Sequence, residues 1–370
     1  MNRLEELIQK LCPNGVEYIP LCECTFLRAG DRITTAMMDD SYEYPVMGGG
    51  TNPTGKYSNY NFENSITISR AGSAGYVNWM EEKFWATDVC FVASQKLENT
   101  LIKFVYYYVK NMQSELQKKT YGGNLPKLNK DYLWQLPIPI PPIEVQSEIV
   151  RILDNFTLLI AELTAELTAE LTARKQQYDY YRDKLLTFDI DIPKFKLKDI
   201  AEIGTGSHNT NEELQEGKYP FFVRSQDVRR LNTFDFDETA IITSGDGVGV
   251  GKIFHYVEGK YALHQRAYRI KIIDININPK YFYYYMKAMF FDYIQRTALN
   301  SSVTSIRRPM LEQFQVPVPS IEIQNRLVYV LDNFDTVCSD LKIGLPTEIE
   351  LRQKQYEFYR NKLLTFKELK

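Results

Sequence analysis

Hydrophobic and polar positions along this chain follow two different periods. From Ile149 onward, apolar or near-apolar residues fall at 149, 153, 156, 160, 163, 167, 171, 178, 181 and 185, mostly at alternating steps of four and three. That spacing is the a/d seam of a coiled coil. The seam returns as Leu327, Leu331, Phe334, Cys338, Leu341, Leu345, Ile349, Tyr356, Tyr359 and Leu363. Two matching seams in one chain most simply bury each other side by side; the plainer alternative is that each helix packs on its own globular block. Elsewhere short β-branched or aromatic runs, SITIS, AIITS, KIFHY and YRIKII, alternate with Gly-rich turns, and each such block ends in one aromatic helix around Tyr106 or Tyr283. Each block, about 20 to 135 and 193 to 316, therefore reads as an α+β domain.

The chain is one unit written twice. Shifted by 178 positions, IPPIEVQSEIVRILDNF (140 to 156) lies over VPSIEIQNRLVYVLDNF (318 to 334), and RKQQYDYYRDKLLTF (174 to 188) over RQKQYEFYRNKLLTF (352 to 366). Slightly smaller shifts align KFVYYYVKNM with KYFYYYMKAM, SITISRAGSAG with AIITSGDGVGV, and GVEYIPLCEC with DIPKFKLKDI. Each long helix follows a Pro-alternating segment, LPIPIPPIEVQ or VPVPSIEIQ, which predicts an extended lead-in. Residues 161 to 173, AELTAELTAELTA, repeat every four residues without a compensating three, a stutter that relaxes the supercoil. At about 1.5 Å per residue each TAEL unit adds about 6 Å, and residues 144 to 188 would span roughly 68 Å, so the helix reads as a ruler. In the second copy, Gly344-Leu345-Pro346 is expected to end or kink the helix and restart it.

Composition narrows the chemistry. A length of 370 residues suggests two or three domains, and 44% hydrophobic with 25% charged residues is ordinary globular usage. No apolar run is long enough to span a membrane and the N-terminus lacks a signal-peptide pattern, so a cytoplasmic location is the default expectation. Cys12, Cys22, Cys24, Cys90 and Cys338 are scattered, without a CxxC pair, beside only three histidines. Neither a disulfide framework nor a metal site is expected. The net charge of -3 argues against a uniformly basic nucleic-acid binder, yet residues 193 to 316 carry 17 basic against 14 acidic side chains, so phosphate contacts would come from local clusters.

No catalytic set emerges. GDGVGVGKI (245 to 253) has a P-loop flavour, but its first glycine is misplaced, no Ser or Thr follows the lysine, and it lies between two strand-like runs, which predicts a hairpin. EIGTG (202 to 206) faintly resembles a loop of S-adenosylmethionine enzymes, but no NPP[YF] or DPP[YF] tetrapeptide occurs; helicase and nuclease motifs are also missing, and no nucleophile has a nearby base. No cofactor is expected. Polar loop tips are more informative. Ser69, Arg70 and Ser73 match Ser244, Asp246 and Lys252; further loops carry Arg224, Gln226, Arg229 and Arg230, then His264, Gln265 and Arg266, then Ser301, Ser302, Ser305, Arg307 and Arg308. Such side chains read base edges and phosphates. A solvated surface position is the ordinary explanation for any single one; recurrence in both copies is what marks the set. The tyrosine runs 106 to 108 and 283 to 285 could stack bases, but on an amphipathic helix they fit a core better.

Taken together, CPNGVEYIPLCEC (12 to 24), IPIPPIEVQSEIVRILDNF (138 to 156), KQQYDYYRDKLLTF (175 to 188) and GLPTEIELRQKQYEFYRNKLLTF (344 to 366) resemble the specificity (S) subunit of type I restriction-modification systems. The resemblance spans the whole chain and implies an α+β architecture: two α/β target recognition domains separated by two long antiparallel helices forming a coiled coil, with a pseudo-twofold internal repeat. The corresponding domains are 1–19, an N-terminal segment packing near the end of the second helix; 20–140, target recognition domain 1; 141–190, conserved helix 1; 191–318, target recognition domain 2; and 319–370, conserved helix 2. It further implies a non-catalytic protein that binds a bipartite site in double-stranded DNA and brings two methyltransferase (M) subunits to it, with restriction translocase (R) subunits joining for cleavage. Competing readings are a stand-alone bipartite DNA-binding regulator, and a carbohydrate- or peptide-binding module on a coiled-coil spacer.

Overall fold

A run of residues with alternating apolar side chains becomes a strand only where a neighbour accepts its ladder, and each recognition block supplies that neighbour through hairpins. The computed structural model describes residues 3–188, 192–297 and 305–369, with only the helix backbone at 338–343 and 345. The chain forms two units, one from Met1–Glu166 with Thr347–Lys370 and one from Leu167–Pro346. The two long helices are designated α1 (Ile143–Leu186) and α2 (Ile321–Leu363). Each contributes to both units.

In the second unit six strands form one sheet in the order Ala201–Thr205, Ala267–Ile272, Phe236–Ser244, Phe254–Leu263, Tyr219–Phe222, Arg229–Leu231. Only Tyr219–Phe222 and Phe254–Leu263 pair in parallel. The first unit repeats this order but splits it into two sheets. Thr25–Ala29, Cys90–Gln95, Ser65–Ser69 and Val77–Met80 form the larger one, and Lys56–Tyr57, Tyr44–Met47 and Trp85–Ala86 the smaller. The break falls between Val77–Met80 and Trp85–Ala86, where Glu81, Glu82 and Lys83 are all exposed and leave the ladder. In the second unit the equivalent strand is continuous, with Gly259 at φ +91° keeping its pairing to Glu238.

One aromatic helix lies on the six-stranded sheet of the second unit and one on the larger sheet of the first. Tyr107, Tyr281 and Tyr284 are at most 3% exposed, which places the tyrosine runs largely in the core. Phe282, Met286, Phe290 and Ile294 from Pro279–Thr297 pack with Ile241, Phe254 and Ile270 of the sheet. Both Pro-rich lead-ins are extended: Pro137–Ile140 pairs antiparallel with Glu17–Pro20, and Gln315–Pro317 with Lys194–Lys196.

The junction of each lead-in with its helix is locked by one buried glutamine. Gln146 accepts from Leu101 N (2.8 Å) and donates to Asn99 O (2.9 Å) and Pro141 O (2.7 Å). Gln324 accepts from Asn278 N (2.8 Å) and donates to Asn276 O (2.9 Å) and Pro319 O (2.8 Å). Beside it, Tyr107 with Lys103 and Tyr284 with Lys280 bind Asp154 and Asp332 respectively.

Both readings of the helix seam hold in part. Val145, Ile149 and Leu153 pack on Phe104 and Tyr107 of their own block. Further along, the helices meet each other antiparallel: within the first unit Phe156 faces Tyr359, with ring centroids 6.4 Å apart, and Thr157 Oγ1 lies 3.3 Å from Tyr356 Oη. In the second unit Leu186 clusters with Leu327 and Leu331. Two details correct the sequence reading. Tyr181 and Tyr359 are 43% and 42% exposed, while Leu186 and Leu364 are buried instead, so the last buried step advances by one residue in both copies. The four-residue spacing 178, 182, 186 replaces the seam there, and the Arg182 and Arg360 guanidinium groups stack on Tyr178 and Tyr356. Helix α2 also does not end at Gly344 and Pro346 but stays helical from Ile321 to Leu363. A proline inside a helix costs about 3 kcal/mol, mostly through a lost hydrogen bond and a crowded carbonyl. Here Gly344 and Pro346 are both exposed, so no packed neighbour crowds the ring, and the turns on either side carry the helix on.

The N-terminal helix Arg3–Leu11 buries Leu4 in a cluster with Ile149, Leu153 and Leu364. Val16 N donates to Lys367 O (2.9 Å), and Val16 bridges Glu368 in parallel.

Candidate nucleic-acid interface

Backbone hydrogen bonds put the loop tips of the two blocks into common register. Thr87 N donates to Met47 O, and His264 N to Phe222 O, both at 2.9 Å. Arg70 N donates to Val89 O, and Gly245 N to Arg266 O, again both at 2.9 Å. Leu128 N reaches Arg70 O as Ile306 N reaches Gly245 O, at 2.8 Å each, and the bridge Ala71–Lys127 corresponds to Asp246–Ser305. Arg70 is therefore equivalent to Gly245, as the alignment of SITISRAGSAG with AIITSGDGVGV places it, and Ala71 is equivalent to Asp246. Residues 245 to 253 form the expected hairpin tip between Phe236–Ser244 and Phe254–Leu263. Gly245 is required there, since a Cβ would lie 2.5 Å from Arg266 O.

At this tip three segments converge on one carboxylate. Arg224 Nη1 lies 2.7 Å from Asp246 Oδ1, and Arg266 Nη1 lies 3.1 Å from Asp246 Oδ2. Burial pushes the Asp246 carboxyl up, but hydrogen bonds from Arg224 and Arg266 outweigh it and hold the group below the usual carboxylate range. Ser244 is fully buried and donates from Oγ to Asp246 O (2.7 Å), so it shapes the turn. His264 is also buried; its Nδ1 accepts from Arg266 N (3.0 Å), and burial keeps the imidazole below its ordinary value. Gln265 is exposed, bonds Asn209 through its amide, and donates from its backbone N to His208 O (2.9 Å).

The remaining expected residues lie apart from that cluster. Arg229 and Arg230 sit on the edge strand, where Arg229 is paired with Glu213 and Arg230 Nη1 donates to Gly217 O (3.3 Å). Lys252 lies 4.9 Å over the Phe291 ring, against the aromatic helix. Arg307 precedes the short helix Arg308–Gln313 at its N-cap position without a side-chain capping bond, and Arg308 Nε contacts Glu312 at 2.9 Å. Ser301 and Ser302 lie outside the described residues. In the first unit, Ser69 is buried and donates to Gly50 O (3.1 Å), Ser73 N donates to Gly49 O (2.8 Å), and exposed Arg70 reaches Asp88 O (3.3 Å). Gln226 lines a separate open cleft of about 780 Å³ with His255, Tyr256, Lys280 and Asp332. Asp246 belongs to the polar tips evident in the sequence, but its pairing with Arg224 and Arg266 does not show there; the signal was an acidic tip flanked by glycines in a block whose other loops are arginine-bearing.

Catalytic features are not evident among these groups. Burial pushes the Cys24 and Cys90 thiols up to about 12, the opposite of an activated nucleophile. Among the described residues no cluster of three or more His, Cys, Asp or Glu could hold a metal ion, and no helix is long and apolar enough to cross a membrane.

Comparison with known proteins matches residues 14–173 and 190–351 to the type I restriction modification DNA specificity domain. The chain is 32% identical to the type I restriction enzyme EcoR124I/EcoR124II specificity subunit of Escherichia coli, covering 99% of this chain and 97% of that protein. It is also 32% identical to a putative type I restriction enzyme specificity subunit of Haemophilus influenzae, over 81% of this chain and 82% of the relative. Among solved structures, a chain from a study of type I R-M complex assembly and conformational transition superposes with a TM-score of 0.74 at 13% identity, covering 96% of this chain and 98% of that one. The HsdS subunit of Thermoanaerobacter tengcongensis gives 0.55 at 14% identity, covering 96% and 97%.

Proposed function

We propose, from the premise that this chain belongs to the type I restriction-modification DNA specificity family, that it reads an asymmetric bipartite site in double-stranded DNA. Each recognition block reads one half-site, and α1 and α2 set the number of unread base pairs between them. The chain is a non-catalytic specificity subunit. Two methyltransferase subunits and, for cleavage, restriction translocase subunits are its proposed partners. The observation that carries this reading is the shared backbone register of the two hairpin tips combined with different side chains on them: one presentation device, two vocabularies. Sequencing of methylated sites in cells expressing the chain with its methyltransferase partner is the test. Two separated half-sites are expected, and changes confined to the second block should alter one half only. A single contiguous target, or simultaneous change of both halves, counts against it. A stand-alone regulator would instead bind DNA fully without any partner.

A further inference from the structure

The register of the two blocks makes a residue-by-residue comparison of their tips possible. Gly49 follows Met47 by two residues as Arg224 follows Phe222; Ala71 and Asp246 make the equivalent bridge; Val89 and Arg266 accept the equivalent hydrogen bond. The triad Arg224–Asp246–Arg266 of the second unit thus occupies the positions of Gly49, Ala71 and Val89 in the first. These neutral residues also adjoin one another, since a Cβ on Gly49 would lie 2.3 Å from Ala71 O and 3.8 Å from Val89 Cγ2. One backbone frame carries two arginines and a carboxylate in one copy and no charge at the same three positions in the other.

We propose that Asp246 is a positioning residue that holds Arg224 and Arg266 as guanine readers, so that the half-site read by the second unit contains a guanine contacted from this tip. The inference rests on the DNA-recognition reading above. Each arginine gives one Nη1 to the carboxylate, and among the described residues the Nε and Nη2 atoms of both have no partner. A guanidinium so held keeps a two-donor edge, which matches the O6 and N7 acceptors of guanine. Asp246 also offsets charge that would otherwise seek any phosphate, and a carboxylate itself repels phosphate. It therefore favours base contact over backbone contact.

The test uses the full chain with its methyltransferase partner, comparing wild type, Asp246→Asn and Arg266→Gln. Methylated sites are sequenced, and affinity for a target duplex and an unrelated duplex is measured across a salt series. Wild type should show an invariant G·C pair in the half-site altered by second-unit changes. Asp246→Asn should relax that position, lower target affinity roughly fivefold or more, and raise affinity for unrelated duplex roughly three- to tenfold at about 0.1 M salt. Arg266→Gln should lose target affinity with no such rise. Thermal melting verifies that both variants are folded. A structural role for Asp246 would lower both affinities together, and that outcome overturns the proposal, as does an unchanged motif or the lack of any G·C requirement. A wild-type complex without sequence preference sinks the recognition reading itself and this inference with it.

Discussion

Gln146 and Gln324 are fully buried, and each satisfies three backbone groups at the joint between a recognition block and its helix. Replacing either by Ala removes the partner of one donor and two acceptors, and a buried group left orphaned costs about 1–3 kcal/mol. Gln146→Ala should therefore raise amide exchange at Leu101 and lower the melting temperature, whereas Gln177→Ala, on the exposed face of α1, should do neither. The glutamine was legible as part of a recurring Glu-x-Gln. Its role was not, because two of its three partners, Leu101 and Asn99, lie 45 and 47 residues upstream. A pH effect belongs at this scale too. Burial lowers the His255 imidazole below its ordinary 6.5, against a smaller opposing effect of Ser225 O, and His264 is lowered likewise. The unfolded chain then binds more protons, so stability is present above about pH 6.5 and falls as pH drops from there toward the folded values. Melting followed from pH 7.5 to 5.5 should show this loss, and His255→Gln should flatten the curve. Asp246 and Glu212, both lowered, act below this window.

At the scale of elements, Leu163, Leu167 and Leu171 of the four-residue repeat are only half-buried, consistent with a seam that loosens where the spacing of four persists. Deleting one TAEL unit from 164 to 171 removes about 6 Å of rise and rotates the helix by about 400°, close to a whole turn. If α1 measures the gap, methylated sites should show a spacer shorter by one base pair, or at most two, with unchanged half-sites. A two-residue deletion swings the seam away and should abolish methylation; full activity after it would make the helix a mere tether. Periodicity disclosed both long helices, yet it misplaced their final buried turn, and an end of α2 at Gly344–Pro346 did not follow, because which positions are exposed is a tertiary fact. The split sheet of the first unit was equally hidden: Glu81, Glu82 and Lys83 spell a turn, but only pairing shows that the other copy runs straight through.

For the whole molecule, the duplicated sequence disclosed the architecture, and the loops disclosed a pool of polar residues that the fold places in different surroundings. Arg224 and Arg266 converge, while Arg229 and Arg308 are occupied by Glu213 and Glu312. The pairings of Arg224, Arg266 and Arg229 are non-local and leave no periodic trace, whereas Arg308–Glu312 is an ordinary i,i+4 helix pair. Net charge of -3 has its own consequence. Since duplex affinity draws heavily on phosphate neutralisation, the chain alone should bind DNA weakly, with a shallow salt dependence that steepens when methyltransferase subunits add positive surface. Equal affinities with and without them at moderate salt would refute this. The interleaving of the units also sets an order of synthesis. The unit that contains the start of the chain needs Thr347–Lys370, and Leu4, Ile149 and Leu153 meet Leu364 only after all of Leu167–Pro346 has been made. At ordinary translation speeds that delay is roughly ten to forty seconds. The first unit to leave the ribosome is therefore the last to be completed, and the apolar face of Leu4, Ile149 and Leu153 waits for Leu364, open meanwhile to chaperones and proteases. A nascent chain stalled before residue 347 should be cut by protease within residues 1 to 166 sooner than the finished protein is.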